Sequence, residues 1–177
     1  MATTTLVTVH EFLQMPEEEG LRRELIGGEV VTMPRAGYPH EVTKANLTKA
    51  LILWSIQTEF RVFIETTFQL DEQNCVIPDV SLISSARVVA GTTGIFQSAP
   101  EVSMEVVSSE TAARLEEKIE LYLAHGSKSV WAVFPEQRVV RIFDSSGQSK
   151  KFEQSQTLKD PALPGFSAPV SAIFEGV

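Results

Sequence analysis

Only one cysteine, Cys75, occurs in the 177 residues, so an intrachain disulfide and a cysteine-based zinc centre are both excluded. A lone cysteine ordinarily acts as a small apolar filler. No apolar run approaches the ~20 residues that a membrane-spanning helix needs. Residues 1–10 have neither a basic stretch nor an apolar stretch of the secretory kind. The expectation is a soluble, cytoplasmic protein with no membrane partner. Neither a Walker A loop nor a G-x-S-x-G elbow is present. The histidines, His10, His40 and His125, lack the spacing of a local zinc motif. Basic residues are also scarce, with 15 Lys and Arg against 23 Asp and Glu and a net charge of −8. Proteins that coat nucleic acid depend on Lys and Arg to neutralise phosphates, so that class is disfavoured. A nuclease is still allowed, because a metal held between carboxylates inverts the local field. Its contact with DNA would then be weak or metal-assisted.

What is present fits one globular domain over residues 1–177, with 43% hydrophobic and 21% charged residues. No repeat, low-complexity tract or linker divides the chain. Thr8-Val9-His10-Glu11 is a capping box that starts a short helix to about Pro16. Glu24 to Met33 reads as a hairpin turning at Gly27-Gly28, where glycines supply positive φ. Apolar residues at three- and four-residue steps predict a helix over 39–60. Strands follow at 61–65, 67–70 and 75–83, then a loop over 84–99 with room for one helical turn. A strand at 102–107 precedes a helix from a Ser108-Ser109 cap to Ala124, ended by His125-Gly126. Strands at 129–134 and 138–143, an edge strand at 150–153 and a short apolar element at 170–174 complete the chain. That order predicts an α/β (α+β) fold, a mixed β-sheet flanked by helices with an N-terminal hairpin.

Two carboxylates interrupt otherwise apolar strands. Period two places Ile77, Asp79, Ser81 and Ile83 on one face, and sets Ser103, Glu105 and Val107 opposite Val102, Met104 and Val106. An ionised carboxylate buried without a partner is costly, so each needs a cation, donors or water. Two on neighbouring strands would suit a hard divalent metal. Taken singly, each is better explained by a solvated sheet face or an arginine partner, and the pair is more informative than either member. On the next helix Leu115, Ile119, Tyr122 and Leu123 form the apolar stripe, with Lys118 at its edge. Such a lysine can bury its stem while its ammonium reaches over the end of the sheet. Periodicity alone favours an ordinary solvated lysine. Trp54 and Trp131 are expected in the core, and Glu17-Glu18-Glu19 is expected as a solvated run.

The ordered set Ile77-Pro78-Asp79-Val80, Pro100 to Ser108, Glu117 to Tyr122, His125-Gly126 and Val130 to Val133 resembles the Uma-two family. So do Arg23 to Glu29, His40 ahead of the long helix and the closing Leu163-Pro164-Gly165-Phe166. Together these cover nearly the whole chain. The family is described as putative restriction endonucleases, so the resemblance implies a restriction-endonuclease-like core of the PD-(D/E)xK type. It implies Asp79 and Glu105 as metal ligands, with Mg²⁺, or Mn²⁺, as cofactor. The wider superfamily has a lysine two residues after the Glu, where this chain has Val107. In the Uma-two family that lysine lies on the following helix, which makes Lys118 the catalytic candidate. Two positions depart from the family pattern: Arg114 and Gly28 each stand where it commonly has Asp.

The implied chemistry is Mg²⁺-dependent endonuclease cleavage of DNA, carried out by a homodimer that cuts both strands. Lys118 would orient water or offset charge on the phosphate. Glu24 would bind a second metal, position a ligand or be an exposed hairpin charge. His40 would contact phosphate, move a proton or be structural. Two other readings stay open. One is a catalytically silent binding or assembly module that keeps the fold, which the acidic charge favours. The other is hydrolysis of a small phosphoester.

Overall fold

Gly27 and Gly28 have φ of 58° and 77°, the left-handed pair that a two-residue turn needs between right-twisted strands. They join β1 (Leu21–Ile26) to β2 (Glu29–Pro34) in an antiparallel ladder from Ile26↔Glu29 to Leu21↔Pro34. A Cβ at Gly28 would meet the Leu6 Cβ at 3.0 Å, so a branched or charged residue there would require Leu6 to move. The computed structural model describes residues 6–16, 18–34, 36–88, 94–108 and 111–177. Ahead of the hairpin lies α1 (Val9–Leu13). It carries the expected capping box: the Glu11 amide donates to Thr8 Oγ1 at 3.3 Å and the Thr8 amide donates to the Glu11 carboxylate at 2.8 Å.

Helix α2 (Tyr38–Ser55) starts after Gly37, with Pro39 in its first turn, where a missing N–H removes no intrahelical bond. It ends five residues short of the expected boundary, and Phe60 opens β3 (Phe60–Ile64). Then come β4 (Thr67–Gln69), β5 (Cys75–Val76) and β6 (Val80–Ser84). The expected continuous strand 75–83 is broken at Pro78, which cannot donate to a ladder. As a result β5 and β6 lie in different sheets. A 3₁₀ turn at Ser85–Arg87 and β7 (Ile95–Phe96) lie within the expected loop.

Strand β8 (Val102–Val106) leads to α3 (Ala112–Ala124). The cap of α3 is Thr111, whose hydroxyl accepts the Arg114 amide at 3.2 Å. This corrects the expected Ser108-Ser109 cap, of which Ser109 lies outside the described residues. The remaining elements are β9 (Ser129–Phe134), β10 (Val139–Asp144), β11 (Ser149–Glu153), β12 (Thr157–Leu158), β13 (Ala168–Pro169) and α4 (Val170–Ile173).

Among the described residues the strands form a six-stranded sheet β11-β10-β9-β8-β6-β3, a five-stranded sheet β2-β1-β5-β4-β7 and a β12–β13 ribbon. In the large sheet β8 and β9 are parallel, as a helical crossover through α3 requires, and the other pairs are antiparallel. This is the expected mixed α/β architecture, with its strands divided between two main sheets. One face of the large sheet presents Val80, Leu82, Met104, Val106 and Trp131 to Leu47 and Leu51 of α2 and to the C-terminal segment. The other presents Ile83, Val130 and Ala132 to Leu115, Ile119 and Tyr122 of α3 and to Ile26, Phe68 and Val76 of the smaller sheet. Residues 80–83 and 130–133 thus alternate faces as period two requires. Among the described residues no helix is long and apolar enough to cross a membrane.

Buried Asp160 ties the closing segment to the large sheet. Its Oδ2 accepts the Trp131 indole N–H at 2.6 Å and the Ser129 hydroxyl at 2.5 Å, and its Oδ1 accepts the Ala162 amide at 2.8 Å. Phe166 then packs against both Trp131 and the half-buried Trp54. Asp160→Ala strands these donors and is expected to lower stability by about 2–4 kcal/mol. The check is a lower midpoint of urea unfolding with an unchanged slope; a midpoint equal to that of the wild type would contradict the anchor.

Candidate active site

The break between β5 and β6 leaves the Ile77 amide without a ladder partner. Glu24, fully buried on β1, takes it: its Oε1 accepts the Ile77 N–H at 2.7 Å. A carboxylate in that position needs a counter-charge. Lys118 of α3 supplies it, with Nζ 3.2 Å from Glu24 Oε1 and 3.1 Å from Oε2. The same ammonium lies 2.8 Å from Oε1 of Glu105 on β8. One turn further along α3, Tyr122 donates its hydroxyl to that oxygen at 2.8 Å. Lys118 is only 1% exposed, so it is neither a solvated lysine nor one whose ammonium reaches out over the sheet end. It sits inside the molecule as the shared partner of two carboxylates.

Asp79 lies at the same end of the neighbouring strand. It immediately precedes Val80, which pairs with Met104, and its Oδ2 accepts the amide of Val106 at 2.8 Å. His40, in the first turn of α2, places Nε2 3.2 Å from the same oxygen. Arg22 of β1 donates to Asp79 Oδ1 at 3.0 Å. Burial opposes ionisation of Asp79. The His40 hydrogen bond, the Arg22 charge and the Val106 amide outweigh it and hold the carboxyl well below its usual range. Arg22 shows the converse. Burial works against its charge, but Asp79, Glu24 and Glu105 together raise it above its ordinary value. Tyr122 is pushed up by burial and by Glu105, so its hydroxyl keeps its proton and donates.

The structure therefore brings Glu24, Glu105 and Lys118 into one buried network, and Asp79 and His40 into a second beside it. Two participants escaped the sequence reading. Arg22 stands two residues before Glu24 on the same strand, so period two would have placed it on the same face. Tyr122 stands four residues after Lys118 on the same helical face, where it was counted only as apolar stripe. A polar chain also continues outward. His40 Nδ1 lies 3.2 Å from Glu41 Oε1, and Lys44 bonds Glu41 at 3.0 Å and Glu65 at 2.6 Å. The Glu65 amide in turn donates to the Asp79 carbonyl oxygen at 3.2 Å.

Three carboxyl groups here face two fixed cations, Lys118 and Arg22, which leaves an excess of negative charge. Every anionic donor is oxygen, and Glu24 Oε2 is buried with the Lys118 ammonium 3.1 Å away as its charge partner. That chemistry suits a hard divalent ion. Among the described residues no group of three or more His, Cys, Asp or Glu side chains is arranged to enclose an ion. Mg²⁺ does not require one, since it is commonly bound through one or two carboxylates, with waters and substrate phosphate completing the shell. Asp79 and Glu105, on neighbouring strands, supply the oxygen-donor chemistry that a two-carboxylate site uses.

The family model for Uma2, described as putative restriction endonuclease, matches residues 9–171. The chain belongs to the Uma2 family. Its fold is similar to the crystal structure of a putative nuclease belonging to DUF820 from Anabaena variabilis, with a TM-score of 0.85, 22% identity, and 95% of this chain and 97% of that one covered. It is also 25% identical over 114 residues to an uncharacterized protein, sll1609, of Synechocystis sp.. That match spans 63% of this chain and 64% of the relative's length. In this Uma2 chain Glu24 is the residue that accepts the amide freed at the break between β5 and β6.

The lowered Asp79 pKa has a measurable consequence. A carboxyl depressed in the folded state stabilises it fully above its unfolded pKa of about 3.9, and that contribution is lost as pH falls through the folded value. In chelator, the stability gap between the wild type and Asp79→Asn should shrink as the pH falls below about 4. Urea unfolding at each pH checks this, and a gap that stays constant or widens in acid would contradict it.

Proposed function

We propose that this chain is a metal-dependent nuclease that hydrolyses phosphodiester bonds in DNA, with Mg²⁺ or Mn²⁺ as cofactor. The observation that carries the reading is the burial of three carboxyl groups, Glu24, Asp79 and Glu105, around two fixed cations at one end of β6 and β8. Membership of a family described as putative restriction endonucleases supports it. Asp79 and Glu105 would hold the ion, and Glu24 would bind a second metal or position a ligand. When bound, such an ion polarises a phosphate and lowers the pKa of a coordinated water. Lys118 fixes the positions of Glu24 and Glu105 and keeps a positive charge beneath the phosphate. His40 holds Asp79 Oδ2 and places a ring nitrogen where it can carry a proton. A homodimer would bring one centre to each strand of a duplex.

One observation favours a catalytically silent module instead. The carboxylates already have internal partners, with Lys118 between Glu24 and Glu105, and Arg22 and His40 on Asp79.

Incubation with plasmid DNA separates the two readings. Cleavage should appear with Mg²⁺ or Mn²⁺, vanish with EDTA and fall by about 100-fold or more in Asp79→Ala and Glu105→Ala, a barrier increase near 2.7 kcal/mol. A parallel RNA substrate checks the preference for DNA. Cleavage that survives both substitutions, or that never appears with either ion, would remove the nuclease reading.

A further inference from the structure

We propose that Arg22 is the residue that receives the substrate phosphate, holding Asp79 only until a divalent ion takes that carboxylate. The inference rests on the nuclease reading and deepens it. Burial separates the two cations of the site. Lys118 is 1% exposed and is committed to Glu24 and Glu105 by three contacts of 2.8–3.2 Å. It cannot turn to an incoming group without abandoning two buried carboxylates. The Arg22 side chain is 26% exposed, and among the described residues its guanidinium makes one hydrogen bond, to Asp79 Oδ1 at 3.0 Å. A guanidinium has five N–H donors in a planar fork. The remaining donors suit the paired oxygens of a phosphodiester, which arginine grips bidentately.

The two oxygens of Asp79 are held differently. Oδ2 is fixed by the Val106 amide at 2.8 Å and by His40 at 3.2 Å, whereas Oδ1 is held by Arg22. Releasing Arg22 therefore leaves Asp79 oriented and offers one oxygen to a cation. Arg22 keeps its charge through the exchange, because Glu24 and Glu105 act on it as well as Asp79. The arginine thus does two jobs in succession. It neutralises Asp79 while the site is empty, which lets the carboxylate stay buried. It then becomes a phosphate ligand once an ion neutralises Asp79 in its place.

The test measures binding in the full-length protein, so it does not depend on activity. Calorimetry with Mn²⁺ and no DNA should show Arg22→Gln binding the ion about threefold or more tightly than the wild type, since the internal competitor for Asp79 is gone. Binding of a short fluorescent DNA duplex in Ca²⁺, another ion that takes hard oxygen ligands, should weaken about tenfold or more in the same variant. Arg22→Lys keeps a charge on Asp79 and serves if the Gln variant fails to fold. It should bind Mn²⁺ like the wild type and still lose duplex affinity, because a point charge replaces the fork. A wild type that binds both ligands, with either variant matching its duplex affinity, would overturn the role of Arg22 alone. Weaker Mn²⁺ binding in Arg22→Gln would also overturn it, since that marks a purely structural arginine. Wild type that fails to bind the duplex in Ca²⁺ would remove the nuclease reading and this inference together.

Discussion

Lys118 joins two sheets by sitting between two carboxylates that neither sheet could bury alone. Glu24 belongs to the smaller sheet, Glu105 to the large one, and the ammonium that neutralises both comes from the helix between β8 and β9. Isolated buried charges of this kind are expensive, and removing one partner leaves the others uncompensated. The position of α3, the orientation of the β1–β2 hairpin and the register of the β8 end are therefore linked through one nitrogen atom. Apolar packing around Ile26, Ile119 and Tyr122 adds area to the same seam, but area alone has no direction. The charge contacts fix which residues meet.

The break at Pro78 is the second half of that design. A continuous strand would have kept Asp79 in the sheet that holds Cys75. By ending β5 and starting β6 in the other sheet, the chain brings Asp79 to the start of an interior strand of the large sheet, beside Val106. The amide that loses its ladder partner there is capped by Glu24. One interruption thus positions two carboxylates, and Glu24 serves both the backbone and the ion-pair network.

Much of this was legible in the sequence. The hairpin glycines, the capping box, the stripe of α3 and the apolar strands each follow a local period or turn chemistry, and they stand close to where those rules place them. The period-two reading of β8 separated Glu105 from Met104 and Val106, and the structure keeps that division, since the latter two pack towards α2 while Glu105 meets α3. The depth of Lys118 was not legible. Helical periodicity locates a residue around an axis, but burial depends on what covers the helix, and the covering hairpin lies about ninety residues earlier in the chain. Arg22 was missed for a related reason. Its face could be read from Glu24, but its partner Asp79 is 57 positions away and joins it only through the switch of sheets. The division of strands between two sheets was equally hidden, because Pro78 signals a break without saying where the chain goes next.

The chemistry of the site depends on whether a divalent ion enters between Asp79 and Glu105 and displaces internal partners. The most direct measurement is a crystal structure of the protein grown with Mn²⁺, with data collected to locate the metal by its anomalous scattering. The expected result is a peak bonded to one oxygen of Asp79 and one of Glu105 at about 2.0–2.3 Å, with Lys118 still against Glu24. An empty site at saturating Mn²⁺, with Arg22 unmoved on Asp79, would contradict it and leave the network as a structural ion-pair cluster.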